Sequence, residues 1–375
     1  MRKSSGFRWK ALSQRQKQVL SWWTPQSAYS SYNGIIADGA IRSGKTFAMS
    51  FSFVQWAMTC YSGQQFAMCG KANEFYFFGG KDESSQDLIQ GITLAGAFFD
   101  EVALMPQSFV NQATARCSVT GSKFWFNCNP GSPQHWFYLE WVRKCRSRKM
   151  MYLHFTMDDN LSLSEDIKAR YRSQYSGVFY QRYILGLWTV AEGLVYDMFD
   201  RKKHVVDVLL ALSPKSAYVA CDFGTQNATT FLLFQKQADA DCWIITREYY
   251  YSGREQKRQK TVGEYVADLK AWLNGLKPER IIVDPSALPL ITELRKNGFT
   301  QTPANNDVLS GILDVQTMLQ TGRLKIYKDC KHTLEEFGVY AWDPDKDDTV
   351  LKVNDHCMDA IRYFVRTKRL VKLRD

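Results

Sequence analysis

The chain has 375 residues, with 48 Lys and Arg against 38 Asp and Glu, giving a formal charge of +10 at pH 7. That length accommodates two domains of roughly 100–200 residues each, and the basic excess points to a polyanionic partner while leaving the fold open. Nine scattered cysteines without C-x-x-C spacing argue for reduced thiols rather than a disulfide framework or zinc, the stretch Met1 to Lys17 is basic and polar, unlike a signal peptide, and no run approaches ~18 uninterrupted apolar residues, so no membrane span is expected.

Residues 10–23 set Leu12, Val19, Leu20 and Trp23 among polar residues, which predicts a short helix. Gln14 or Gln18 on it is a candidate for an adenine edge, although exposed glutamines on helices are common. Ile35 and Ile36 then lead as a strand into Gly39-x-x-x-x-Gly44-Lys45-Thr46, the complete G-x-x-x-x-G-K-[ST] phosphate-loop pattern. The glycines let successive N–H groups face one anion at a helix N-terminus. Lys45 is expected to reach the β- and γ-phosphates of a nucleotide and Thr46 to ligate Mg2+, with Ser43 in the loop and Arg42 a candidate γ-phosphate contact.

Strands are predicted at Gln65 to Gly70 and at Glu74 to Gly80. The apolar run Ile92 to Phe99 suits a strand buried on both faces of a parallel sheet, and Asp100 and Glu101 follow at its C-terminal end, the ligand edge of such a sheet. Beside a phosphate loop, Asp100 is expected to hold Mg2+ and Glu101 to polarise the attacking water; alone, the pair would read as a surface turn. Lys123 to Phe126 is another apolar strand, ending in Asn127-Cys128-Asn129-Pro130-Gly131, where Asn129 could sense the γ-phosphate or simply favour the turn. The basic run over residues 141–149, from Trp141 to Lys149, is as consistent with a DNA backbone contact as with a solvated helix end.

The Gly39-to-Thr46 loop, the stretch Thr93 to Pro106 and the stretch Phe126 to Pro130, in that order, resemble the large terminase subunit of tailed bacteriophages, particularly the branch found in PBSX-like prophages. The resemblance continues through Asp158 to Leu163 and Tyr183 to Trp188. It implies an α/β fold with a P-loop NTPase domain of ASCE type, mainly parallel in its sheet, and a C-terminal RNase H-like nuclease domain. One departure stands out: between Lys71 and Asn73 the family carries several dozen further residues, so a segment is missing near 70–73. The expected boundaries are an ATPase domain over 1–189, a linker over 190–210 and a nuclease domain over 211–375.

In the second half, Tyr218 to Cys221 runs as a strand into Asp222, two strands follow as a meander, a helix is spaced by Val262, Tyr265, Val266, Leu269 and Leu273, and Arg280 to Val283 runs as a strand into Asp284. The closing helix begins near Asp355 and His356, with Asp359 one turn on. Carboxylates gathered from distant element ends suit two-metal phosphodiester hydrolysis with Mg2+ or Mn2+. The terminase resemblance places the nuclease acids at Asp222, Asp284 and Asp359, with His356 as an auxiliary ligand or proton-transfer group; Asp355 could equally cap the helix.

The resemblance further implies ATP-driven packaging of double-stranded DNA and cutting of the concatemer, with a small terminase subunit, a portal ring and a ring of copies of this chain as partners. The expected setting is the bacterial host cytoplasm, transiently on the procapsid, away from membranes. Two other readings remain open at this point: a metal-dependent nuclease whose ATPase half is disabled by the missing segment, and a non-catalytic DNA-binding assembly protein.

Overall fold

A computed structural model describes residues 11–61, 74–80, 82–209, 211–224 and 228–371. The chain divides into two compact units: Met1–Arg172 with Val178–Val190, and Ser173–Gly177 with Ala191–Asp375.

In the first unit β1 (Gly34–Gly39), β2 (Gly96–Phe99), β3 (Lys123–Asn127) and β4 (Met150–Phe155) form a parallel sheet in the order β2-β3-β1-β4. Its helices include α1 (Gln14–Ser21), α2 (Lys45–Cys60) and α3 (Gln107–Arg116). Successive side chains of a strand face opposite sides, and β1 uses both. Ile35 and Ala37 join Trp125, Trp22, Trp56 and Met49 in one core, while Ile36 joins Phe99, Phe126, Phe109 and Trp141 in another. Every residue of β1 is therefore buried, as expected for the central strand of a sheet covered on both faces.

The structure corrects several expectations. No strand forms over Glu74–Gly80, and Phe77 is 95% exposed. The alternating aromatics there looked strand-like, but a strand needs a neighbour to receive its backbone hydrogen bonds, and none pairs with it among the described residues. The strand predicted at Gln65–Gly70 lies outside the described residues. Ile92 to Phe99 yields only a four-residue strand in which Phe99 alone is buried, because β2 pairs with β3 and is an edge strand among the described residues. Within residues 191–209, Val195 N donates to Tyr340 O at 2.9 Å, and β5 (Val205–Val206) enters the second sheet.

That second sheet is mixed, in the order β10-β9-β6-β7-β8-β11-β5. β6 (Leu212–Asp222), β7 (Ala228–Gln237) and β8 (Trp243–Ser252) are an antiparallel meander, and β9 (Arg280–Val283) lies parallel to β6. β10 (Gln301–Pro303) and β11 (Leu324–Tyr327) extend the sheet on its two sides. Helix α4 (Val262–Leu273) covers one face through Tyr265, Val266, Leu269 and Leu273. The other face carries α5 (His356–Thr367), whose Phe364 stacks on Phe234 of β7 with ring centroids 3.9 Å apart. Strands of this order, closed by a helix bearing acids at its start, give the second unit an RNase H-like arrangement.

Candidate functional site

Each unit carries one candidate site, and both lie where strands end. In the first, the phosphate loop follows β1, Asp100 follows β2, and Asn127 is the last residue of β3, so parallel strands deliver them to one edge. Gly39 has φ 122°, and a Cβ there would come within 2.0 Å of Phe155 O, so only glycine fits between β1 and β4.

Lys45 is 5% exposed and folds back onto oxygens: Nζ donates to Gly39 O at 3.0 Å, Ala40 O at 2.6 Å, Ser43 Oγ at 3.3 Å and Asn129 Oδ1 at 3.1 Å. These four oxygens stand where phosphate oxygens would satisfy an ammonium. Burial lowers its pKa to about 8, partly offset by Cys128, Asp38, Asp100 and Glu101. Thr46 Oγ1 donates to Asp100 Oδ1 at 3.2 Å, and Asn127 Nδ2 donates to Thr46 Oγ1 at 2.8 Å and also to Asp100 Oδ1. Asn127 Oδ1 is buried with no hydrogen-bond partner among the described residues. This hydroxyl, carboxylate and amide make the hard-oxygen set that suits Mg2+. Glu101 is exposed with φ 54°, and the Arg42 guanidinium lies 5.6 Å from the Tyr171 ring centroid while its carbonyl accepts from Asn160 Nδ2 at 2.8 Å.

Sequence reasoning missed the supports of this loop. Asp38 is fully buried and accepts from Tyr152 OH at 2.9 Å and Trp188 Nε1 at 2.7 Å, with His154 Nδ1 at 3.1 Å. Ile41 N donates to Tyr183 O at 2.8 Å, and Gly186, at φ 73°, sits so close that a Cβ on it would meet Ala40 N at 2.6 Å. On α1 the glutamine beside the loop is Gln16, not Gln14 or Gln18. It is buried in a capping box with Ser13, and its Nε2 would lie 2.6 Å from a Cβ on Gly44. The capping-box spacing from Ser13 to Gln16 was the available signal.

In the second unit Asp222 ends β6 and Asp284 follows β9, and the parallel register Cys221↔Val283 sets them side by side. His356 Nδ1 lies 2.8 Å from Asp222 Oδ2. Tyr363 OH donates to Asp284 Oδ2 at 3.1 Å. Its pKa is raised by burial and then by the charges of Asp222, Asp359 and Asp284. Burial also pushes Asp222 up, opposed by His356 and reinforced by Asp359 and Asp355. His356 rises above its ordinary value: burial works against this, but the Asp222 carboxylate prevails. Asp284 sits below the ordinary range, burial being outweighed by hydrogen bonds from Ser286, Tyr363 and Asn306.

Asp359 accepts from Arg362 Nη2 at 2.7 Å and from Lys352 Nζ at 3.0 Å. Asp355 occupies the N-cap position of α5 but makes no side-chain cap bond; Glu336 caps the helix instead, accepting from Cys357 N at 2.7 Å and Met358 N at 3.2 Å. Burial raises Glu336 to about 7 against those two donors. Lys352, Arg362, Tyr363 and Glu336 went unremarked in the sequence, since nothing local distinguishes them.

Among the described residues, no three His, Cys, Asp or Glu side chains form a ready metal cage. The donor chemistry nevertheless fits a hard divalent cation, with ammonium and guanidinium groups standing in as countercharge, and Mg2+ commonly takes only one or two carboxylates with water and phosphate completing its shell. No helix among the described residues is long and apolar enough to cross a membrane.

Two family models match. One describes the N-terminal part of the terminase large subunit of T4-like virus type and covers residues 70–203; the other describes the terminase RNaseH-like domain and covers residues 226–367. The large terminase subunit of Escherichia phage T5 is 25% identical over 228 residues, 57% of this chain and 50% of its own length. The chain spans about half the length of the curated relatives it matches. Among solved structures, the large terminase of a thermophilic bacteriophage superposes with a TM-score of 0.87 at 47% identity, covering 96% of this chain and 99% of that one. The same protein in complex with ADP gives 0.83 at 46% identity, covering 95% and 99%.

Proposed function

This chain belongs to the phage terminase large subunit family, and from that premise we propose that it is a DNA-packaging enzyme with two sites: an ATP-driven translocase of double-stranded DNA in its first unit and an endonuclease for concatemeric DNA in its second. The observation that carries the motor reading is the meeting, at one sheet edge, of Lys45 with Asn129 and of Thr46 with Asn127 and Asp100. Lys45, with Gly39, Ser43 and Gly44, binds the phosphates, and Arg42 and Asn129 face the γ-phosphate. Thr46 and Asp100 would hold Mg2+, which when bound neutralises charge on the transferring phosphoryl group. Glu101 orients the attacking water.

In the nuclease, Asp222, Asp284 and Asp359 would hold Mg2+ or Mn2+, which when bound activates water and steadies the leaving oxygen. His356 orients Asp222 and holds a proton for transfer, and Tyr363 orients Asp284. The packaging role brings a small terminase subunit, a portal ring and further copies of this chain as partners, on a procapsid in the host cytoplasm.

A second reading, a nuclease with a disabled motor, is favoured by the short stretch near 70–73 and the edge position of β2. The ADP complex of the thermophilic phage terminase, whose chain this one matches almost end to end, supports the working motor. DNA-stimulated ATP hydrolysis against a Lys45→Ala control, run beside plasmid nicking in Mn2+ against Asp222→Ala, separates them. Turnover lost only in Lys45→Ala supports the motor. Nicking without turnover above that control supports the disabled form, and neither activity leaves a DNA-binding assembly protein.

A further inference from the structure

The ammonium of Lys352 reaches two carboxylates at once, 2.9 Å from Asp355 Oδ2 and 3.0 Å from Asp359 Oδ2. Both acids are nearly buried while the Lys352 side chain is 59% exposed. Two other cationic or ionisable groups serve the cluster. Arg362 pairs with Asp359 Oδ1 from within α5 and is 2% exposed, and His356 bonds Asp222 from the start of the same helix. Both are fixed by the helix that carries the acids. Lys352 is different, because it lies before α5, just after the bridge that joins Trp342 to Val350, and extends a flexible four-carbon stem from outside.

We propose that Lys352 is a tethered countercation: it occupies the place between Asp355 and Asp359 that a divalent ion competes for, so metal loading of the nuclease requires it to leave. This rests on the metal-nuclease reading of the second unit. Without the lysine, Asp355, Asp359 and Asp222 would keep Arg362 and His356 as countercharge among the described residues, which is costly for nearly buried carboxylates. With it, the cluster is stable when no metal is bound, and the ion must displace an attached rival. The site therefore loads only above a metal threshold set by one exposed side chain, which keeps the cluster silent without altering any of its acids.

Isothermal titration of Mn2+ into the full-length wild type, Lys352→Ala and Lys352→Arg tests this without reading cleavage. The expected result is Mn2+ binding at least about fivefold tighter in Lys352→Ala, the scale of two partly exposed ion pairs, with Lys352→Arg staying near wild type. In EDTA, Lys352→Ala should melt below wild type, and saturating Mn2+ should close the gap, which also shows that the variant is folded. Equal or weaker Mn2+ binding in a folded Lys352→Ala overturns the countercation while leaving the nuclease reading intact. Absence of Mn2+ binding in all three proteins overturns both.

Discussion

Trp188 donates its indole N–H to Asp38 at 2.7 Å across 150 residues of sequence, joining the final stretch of the first unit to the residue that precedes the phosphate loop. Tyr152 and His154 of β4 complete the ring of groups around the same carboxylate. Asp38→Asn would turn an amide N–H toward groups that are themselves donors. Leaving buried donors unpaired costs about 2–3 kcal/mol, so melting of the first unit should fall by roughly 5–10 °C, and nucleotide affinity should fall with it. Calorimetry and nucleotide titration on the same protein check both; an unchanged melting temperature would refute the anchoring role.

Gly186→Ala should act on the loop from a distance. Its Cβ would press on Ala40 N and Gly39, in addition to the strain of φ 73°. Gly193, at φ 76° with nothing within 4 Å, supplies the control, because Gly193→Ala meets only the backbone strain of about 1 kcal/mol. Nucleotide binding is expected to weaken several-fold in the first variant and to hold in the second.

Lys45 gives a pH-dependent prediction with an unusual sign. Its folded pKa of about 8 lies below the unfolded value near 10.5, so the unfolded chain binds more protons between those limits and stability rises with pH through that window. At neutral pH the full penalty of the buried cation is in place, on the order of 3 kcal/mol. Lys45→Met should therefore raise the melting temperature at pH 7 while abolishing nucleotide binding, and the gain should shrink above pH 8. A destabilised variant at pH 7 would show that the four oxygens repay the burial.

Glu336 slopes the other way. Burial raises its pKa to about 7 from an ordinary value of 4.5, so the folded protein holds the extra proton and stability falls as pH rises from about 4.5 to 7. Glu336→Gln should flatten that part of the melting profile, measured from pH 5 to 8.

Asp222→Asn is expected to remove plasmid nicking while DNA-stimulated ATP turnover continues. Tyr363→Phe, which deletes one hydrogen bond to Asp284, should slow nicking by about five- to tenfold. Parallel loss of ATP turnover in either variant would indicate misfolding and discount the assignment.

The sequence made the phosphate loop, Asp100 and the strand-terminal Asp222 and Asp284 legible because each is a local signature: a spacing, or an acid closing an apolar run. The meander, helix α4 and β9 were legible for the same reason, their hydrophobic periods being intact. Asp38, Asn127 and Lys352 were not, since what gives them meaning is a partner brought by the fold. In the sequence Asn127 is one of the amides that end an apolar strand, yet it ties Thr46 to Asp100, residues 81 and 27 positions away. Glu74 to Gly80 failed in the opposite direction: it had the local look of a strand without a neighbouring strand to pair with.

The order of the strands has a consequence for how this protein is made. β1 and the phosphate loop leave the ribosome early, but β1 is flanked by β3 and β4, and Asp38 waits for Trp188. At roughly 5–20 residues per second, on the order of ten seconds passes between synthesis of the loop and arrival of the last group that anchors it. Until then the nascent chain carries the phosphate-loop spacing without the contacts that fix its geometry, which come only once the final stretch of the unit has been translated.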